Sequence, residues 1–372
     1  MNSTATSGPS ELAPDYVRHI APYVPGKPIE ELAREYGLAE DEIVKLASNE
    51  NPRGPSPKAR EAIMAACAGI TRYPDGNGFA LKSALAARYR IDRGQIVLGN
   101  GSNEVLELAS QAFLRPGDQA VYAQHAFAVY PLATQARGAN GIEVPARDYG
   151  HDLQAMAAAI TSRTRIVFVA NPNNPTGTWL APSEVKAFLS SVPPDCLVVL
   201  DEAYDEYLEP SQRSPSASWI EEHPNLIVSR TFSKAYGLAG LRVGFGMMEA
   251  RVSDMLNRVR QPFNVSSVAQ AAALAALADS EYVAESARLN RAGLAQLGAA
   301  LDAMGVRYIP SHANFLLVYV GDGARVYEHL LRQAVIVRPV ANYGLPAHIR
   351  VTVGLPEENR RFLTALESAL AR

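Results

Sequence analysis

Ser229-Arg230-Thr231-Phe232-Ser233-Lys234-Ala235-Tyr236-Gly237-Leu238-Ala239-Gly240-Leu241-Arg242-Val243-Gly244 is the stretch on which the reading of this chain turns. It overlaps an apolar β-type run, LIVSRTFS at 226–233, and leads through a glycine-rich turn into a second run, RVGFGM at 242–247. Most lysines are simply solvated. A lysine directly after an apolar strand, flanked by hydroxyl residues, is an odd place for a surface charge. Thr231, Ser233 and Arg242 supply hydroxyls and a planar guanidinium fork that suit a phosphate dianion. Lys234 is therefore the candidate reactive amine.

Upstream, short apolar runs alternate with helical patterns: IVLG at 96–99, QAVYA at 119–123, RIVFVA at 165–170 and CLVVLDEA at 196–203. Runs that are apolar on both faces and separated by helices predict an α/β fold with a mostly parallel sheet covered on both sides. Ligands of such sheets bind beyond the carboxyl ends of the strands. Asp201, in VVLDEAYDEY, sits at one such end and needs a partner there; it either caps the following helix or holds a ligand. Tyr204 can lie on the same side of the chain. After RIVFV comes Ala170-Asn171-Pro172-Asn173-Asn174-Pro175-Thr176-Gly177, a rigid turn able to hold an Asn amide at a fixed angle. Gly99-Asn100-Gly101-Ser102-Asn103-Glu104 reads as strand, glycine turn and helix start, whose free N–H groups suit a phosphate. It is neither a G-x-G-x-x-G fingerprint nor a Walker A loop, which disfavours a nicotinamide dehydrogenase.

Beyond Pro262 the chain turns alanine-rich and helical (SSVAQAAALAALAD, then YVAESARLNRAGLAQLGAALDAMG), followed by strands at 314–320, 335–338 and 348–353 and a last helix. The alanine runs point to close helix packing. The expected organisation is an N-terminal arm at 1–45 that forms part of the small domain, a large domain at 46–265, and a smaller α+β domain at 266–372 reached by a long connecting helix. Its 372 residues suffice for two domains with real cores. A net charge of -3 and a pI near 6.2 leave no basic footprint for nucleic acid, so any bound anion must be captured by a few local cations. Cys67 and Cys196 lie far apart with no CxxC or histidine cluster, so neither a disulfide framework nor a metal site is expected. The N-terminal MNSTATSGPSELAPD lacks a basic-then-apolar leader, and no stretch reaches a membrane span. A cytoplasmic protein with no membrane partner is the expectation.

These segments, in this order and each at a strand end, resemble fold-type I aminotransferases that use pyridoxal 5′-phosphate (PLP), and among them the histidinol-phosphate aminotransferases. The resemblance covers nearly the whole chain: PYVPGKP at 22–28, LASNENPRGPSPKA at 46–59, RYPDGNGFALK at 72–82, GNGSNE, NPNNPTG, DEAY, RTFSKAYGLAGLRVG, ANFLLV at 313–318 and IRVTVG at 349–354. It implies that Lys234 anchors the cofactor's aldehyde. Asp201 should pair with the pyridinium nitrogen, making the ring an electron sink. Asn174 and Tyr204 should bond the phenolic oxygen, with Lys234, Asp201 and Tyr204 as the catalytic set. Ser102, Asn103, Thr231, Ser233 and Arg242 should form the phosphate cup. The ring-stacking aromatic falls on Phe127, where many relatives have tyrosine; stacking needs only a π face. Tyr73 should reach the cofactor of a neighbouring subunit, which implies a homodimer with shared sites. Tyr23, Asn49, Arg338 and Arg350 should line the substrate pocket, the arginines gripping phosphate or carboxylate. On position alone Arg350 could instead be a structural ion pair, and Arg338 a solvated strand end.

The implied reaction is a two-stage transfer of an amino group between small molecules, a donor amine and a 2-oxo acid acceptor. HAFAVYPLATQARGA resembles a branch of the family that takes aromatic amino acids, so aromatic transamination is the main alternative to histidinol phosphate and 2-oxoglutarate. A PLP decarboxylase could use the same cradle. A PLP-sensing regulator would need a DNA-binding domain, and the 45 residues before the first large-domain motif carry no basic helix-turn-helix pattern.

Overall fold

A computed structural model describes residues 8–371; the first seven residues of the expected arm, and Arg372, lie outside it. The strands are β1 (Val44–Lys45), β2 (Ile96–Gly99), β3 (Gln119–Ala123), β4 (Asn140–Val144), β5 (Thr164–Ala170), β6 (Leu197–Asp201), β7 (Leu226–Thr231), β8 (Gly244–Met248), β9 (Tyr308–Ile309), β10 (Phe315–Tyr319), β11 (Val335–Ile336), β12 (Arg338–Pro339) and β13 (His348–Thr352). A seven-stranded sheet has the order β2-β8-β7-β6-β5-β3-β4. All neighbours in it run parallel except β8, which is antiparallel to both β7 and β2. Its central strands are buried on both faces. Val167 and Val169 of β5 point into one apolar core, and Ile166 and Phe168 into the core on the other face. Continuous apolar runs are what two covered faces require. The edge strand β4 is polar and largely exposed, which is why no apolar run marks it.

The topology places one edge of this sheet above everything else of interest. Strands β2, β5, β6 and β7 end there at Gly99, Ala170, Asp201 and Thr231. Because β8 runs the opposite way, its beginning lies at the same edge, with Gly244 opposite Thr231 on one side and Gly99 on the other. Arg242, two residues before β8, is delivered to the same place.

A second, antiparallel sheet of order β12-β13-β10-β9 has its own core, which includes Leu316, Val318, Val351 and Phe362. The expected strand at 335–338 is two strands. β11 pairs in parallel with β1 of the N-terminal segment, and β12 pairs with β13, so the chain changes sheets around Val337. The helix Ile29–Tyr36 ends on Gly37, whose φ of 66° suits a helix C-terminus, and its Leu32 shares a core with Leu331 and Ile336. The helix Ser267–Leu277 buries Ala269, Ala272, Ala273 and Ala276 and packs on the helix Pro57–Cys67. Those alanines belong to the same core as one sheet face, so a division between residues 265 and 266 would run through continuous packing. The 24-residue helix Ser280–Ala303 then reaches the second core with Leu297 and Leu301. Among the described residues no helix is long and apolar enough to cross a membrane.

Candidate active site

Asp201, the last residue of β6, is buried, and its Oδ2 accepts a 2.9 Å hydrogen bond from the Tyr130 hydroxyl. Its Oδ1 is buried without a partner among the described residues. Burial pushes the carboxyl up to about 6, against the Tyr130 bond, the Ala203 N–H and the charge of Lys234. Behind this strand end, Arg230 of β7 forks onto Glu202 (2.6 and 3.0 Å) and reaches Asp205 (2.7 Å), with Ser216 donating to Glu202 (2.9 Å). This buried ion network holds the Asp201–Tyr204 segment rigid from below.

Lys234 follows β7 and is partly accessible from the cavity above the sheet; its Nζ donates to the Ser48 carbonyl at 3.0 Å. Desolvation above all, then the positive charge of Arg350, brings its ammonium down to about 8. Tyr204 accepts a 2.9 Å bond from Asn49 Nδ2, and burial raises its phenol to about 12. Asn49 is itself fixed: its N–H donates to Thr352 Oγ1 (3.0 Å) and its Oδ1 accepts from that hydroxyl (3.1 Å).

The helix Ser102–Phe113 begins beside these groups, with Gly101 before it and no side chain capping its first N–H groups. Those groups and the helix dipole make an anion site. Arg242 completes it, bonding Ala239 O (2.9 Å) and Ser233 Oγ (3.4 Å), while Thr231 Oγ1 accepts from the Ser233 N–H (3.1 Å). A Cβ on Gly101, whose φ is 75°, would lie 2.4 Å from Arg242 Nη2, so only glycine leaves this cradle open. Asn49 and Arg242 hold left-handed backbone, at φ 55° and 53°. Strain of this kind gathers where a side chain must be aimed.

In the 170–177 turn, Asn171 is spent on Leu180, and Asn173 on His125 and Thr176. Asn174 is left to face the cavity, where its Oδ1 accepts from Arg350. Arg350 also donates to Ala47 O (2.6 Å); its Nε has no partner, and among the described residues no carboxylate pairs with it. Arg338 lies directly opposite in the β12–β13 ladder, bonds Val24 O (2.7 Å) and sits 5.5 Å over the Tyr23 ring. Like charges opposed across a ladder destabilise it. Among the described residues no acid pairs with either of these two buried guanidiniums, an arrangement that suits an anion.

The cavity is about 260 Å³ and is lined by Lys234, Asp201, Tyr204, Asn174, Ser102, Asn103, Phe127, Thr231, Ser233, Arg242, Tyr23, Asn49, Arg338 and Arg350. Tyr73 does not line it. Its ring is 82% exposed and stacks on Phe263 at 4.7 Å. The structure adds Tyr130, Tyr343, Ser48 and Glu50 to the lining. Tyr130 lies three residues after Phe127 and could have been found from that spacing; Tyr343 comes from a loop with no distinguishing pattern. The donors present fit PLP: an anion cradle at one end, an amine in the middle, and a buried carboxylate oxygen without a partner at the other.

An amine of lowered basicity, a buried carboxylate and an anion cradle at the carboxyl edge of such a sheet are the parts that a PLP-dependent enzyme needs. The model of aminotransferase class I and II matches residues 41–366, and the chain belongs to that family. Its relatives there include histidinol-phosphate aminotransferases. Histidinol-phosphate aminotransferase 2 of Ralstonia nicotianae is 61% identical over 366 residues, 97% of this chain and 98% of that protein. Histidinol-phosphate aminotransferase of Methylobacillus flagellatus is 59% identical over 360 residues, with 97% and 98% covered. Among solved structures, the histidinol-phosphate aminotransferase of Sinorhizobium meliloti in complex with pyridoxal 5′-phosphate superposes with a TM-score of 0.89 at 29% identity, covering 96% of this chain and 97% of that one.

Proposed function

We infer that this chain binds PLP and transfers an amino group between histidinol phosphate and 2-oxoglutarate, giving imidazole-acetol phosphate and glutamate, in histidine biosynthesis. The names of its relatives support this reading, and the observation that carries it is the pair Arg338 and Arg350, buried side by side with no carboxylate partner among the described residues. Both partners of the reaction are anions, a phosphate monoester and a dicarboxylate, and an arginine fork can pair with either.

The bound cofactor supplies an aldehyde that takes up the amine and a ring that withdraws electrons. Ser102, Asn103, Thr231, Ser233 and Arg242 would hold its phosphate, Phe127 its ring face, Asp201 its ring nitrogen, and Asn174 and Tyr204 its phenolic oxygen. Lys234 would anchor it. As a free amine Lys234 would be the base that takes the proton from the substrate's amine-bearing carbon, and the lowering of its ammonium to about 8 suits that task near neutral pH. Desolvation inside the cavity strengthens each of these contacts.

Tyr23, Phe127 and Tyr343 line the same cavity and flank a phenyl ring as readily as an imidazole, so aromatic amino acids are the second substrate class. The active unit is a homodimer, a reading supported by the exposed apolar side chains Met64, Ile70, Tyr73, Phe79 and Phe263, and its place is the cytoplasm, as suits a biosynthetic enzyme.

Assaying the protein with imidazole-acetol phosphate, phenylpyruvate and prephenate, each with glutamate, tests the assignment. The expected order puts imidazole-acetol phosphate first by ~10-fold or more in kcat/KM. A lead for either aromatic acceptor reassigns the substrate, and no turnover with any of them overturns transamination. Borohydride reduction of the PLP-loaded protein should place the label on Lys234; a label on another lysine removes the anchor role.

A further inference from the structure

Asp201 has two carboxylate oxygens with different surroundings. Among the described residues Oδ1 is buried without a hydrogen-bond partner, while Oδ2 is held by Tyr130 at 2.9 Å. Tyr130, in the helix Val129–Gln135, has no exposed surface. Its ring stacks on Phe168 of β5 at 4.8 Å with 5° between the planes, and meets Phe127 edge-on at 5.9 Å. Packed on two sides, the phenol leaves its hydroxyl one place to point. Burial and the neighbouring Asp201 raise the phenol well above its ordinary range, so it remains a donor at every working pH.

We propose that Tyr130 is a positioning residue for this reaction: its hydroxyl fixes the plane of the Asp201 carboxylate so that Oδ1 is the oxygen presented to the cofactor's ring N–H. The proposal rests on the PLP reading of the site given above. Its physical content is a division of labour between the two oxygens. A carboxylate held at one oxygen cannot turn about its Cβ–Cγ bond, and a hydrogen bond to its ionised form lowers its basicity. Without that bond Asp201 would hold the proton it shares with the ring nitrogen more tightly, and the ring would withdraw fewer electrons. The titratable groups that face Asp201 are Tyr130 from its helix, Tyr204 beyond β6 and Lys234 beyond β7; only Lys234 is a cation, and it lies on the cavity side. Tyr130 alone among them bonds the carboxylate.

Tyr130→Phe keeps the ring and its stacking and removes only the hydroxyl. With PLP labelled with ¹⁵N in the ring, the wild-type holoprotein should give the resonance of a protonated pyridine nitrogen. In Tyr130→Phe that resonance should move toward the unprotonated position, the PLP dissociation constant should rise about tenfold, and kcat should fall with KM little changed. Tyr130→His, which returns a donor, should recover part of the ¹⁵N shift and serves as the second variant if the first folds poorly. A ring-nitrogen resonance and a PLP affinity unmoved in both variants would overturn the proposal. Wild-type protein that takes up no PLP would overturn the site reading itself, and the proposal with it.

Discussion

Asp201 shows how a candidate site residue is held at a cost to the protein's stability. Its folded-state carboxyl, raised by burial from the ordinary 3.8 to about 6, binds a proton more tightly than in the unfolded chain. Its contribution is therefore fully present below about pH 4 and is lost as pH rises through 6, so the cofactor-free protein carries a cost of roughly 3 kcal/mol at neutral pH. In cofactor-free protein, Asp201→Asn should raise the melting temperature at pH 7.5 and leave it unchanged at pH 4; an equal effect at both pH values would refute this origin. Arg350 is the converse case, a buried cation that donates to the amide oxygen of Asn174 and the carbonyl of Ala47 and lies 5.2 Å over the Phe315 ring, with no carboxylate partner among the described residues. If it reads the substrate's anion, Arg350→Lys should keep the fold and PLP binding while lowering kcat/KM for histidinol phosphate and glutamate by about 2–3 kcal/mol, some 30- to 150-fold. Unchanged kinetics with a lowered melting temperature would make Arg350 structural.

At the scale of elements, the turn from β2 into the helix Ser102–Phe113 carries the site. Gly101 combines a φ of 75° with a Cβ position 2.4 Å from Arg242 Nη2, so side chain and backbone both demand glycine. Gly101→Ala should cost ~1–3 kcal/mol of backbone strain, because φ 75° with ψ 168° is a conformation that glycine alone adopts readily, and displace the guanidinium from the cradle. The expected result is a folded protein whose PLP affinity, read by quenching of its intrinsic fluorescence, is weaker by about an order of magnitude or more. Unaltered affinity would mean that Arg242 does not hold the phosphate. The GNGSNE pattern announced this turn, because strand, glycine and helix start are local signals. The partner was not local: Arg242 arrives 141 residues after Gly101, and only because β8 runs against its neighbours.

For the whole molecule, Tyr73 is the side chain that its own chain does not use. It is 82% exposed, stacked on the half-exposed Phe263 and outside the cavity. If it serves a second subunit, mixing Tyr73→Phe subunits with Lys234→Ala subunits should give heterodimers in which one site carries both lesions and the other neither. Activity should then recover above that of either parent. Mixed dimers confirmed by mass that gain nothing would remove Tyr73 from the neighbouring site.

The sequence by itself determined the local parts: β-type runs at 96–99, 119–123 and 226–233, of which the last ends as a strand at Thr231, the helix starts after glycine, the candidate lysine and the carboxylate at a strand end. These are legible because strand burial, helix capping and turn chemistry act within a few residues. The tertiary structure alone decided which of these parts meet. Tyr130 reaches Asp201 across 71 residues, Asn49 reaches Tyr204 across 155, and Arg350 reaches Asn174 across 176. The strand at 335–338 also divides between two sheets, because β1 and β13 pair with its two halves. Such pairings depend on strand order and on the directions of β8 and β12, which no window of sequence encodes, since contact between distant residues is settled by the packing of the whole core.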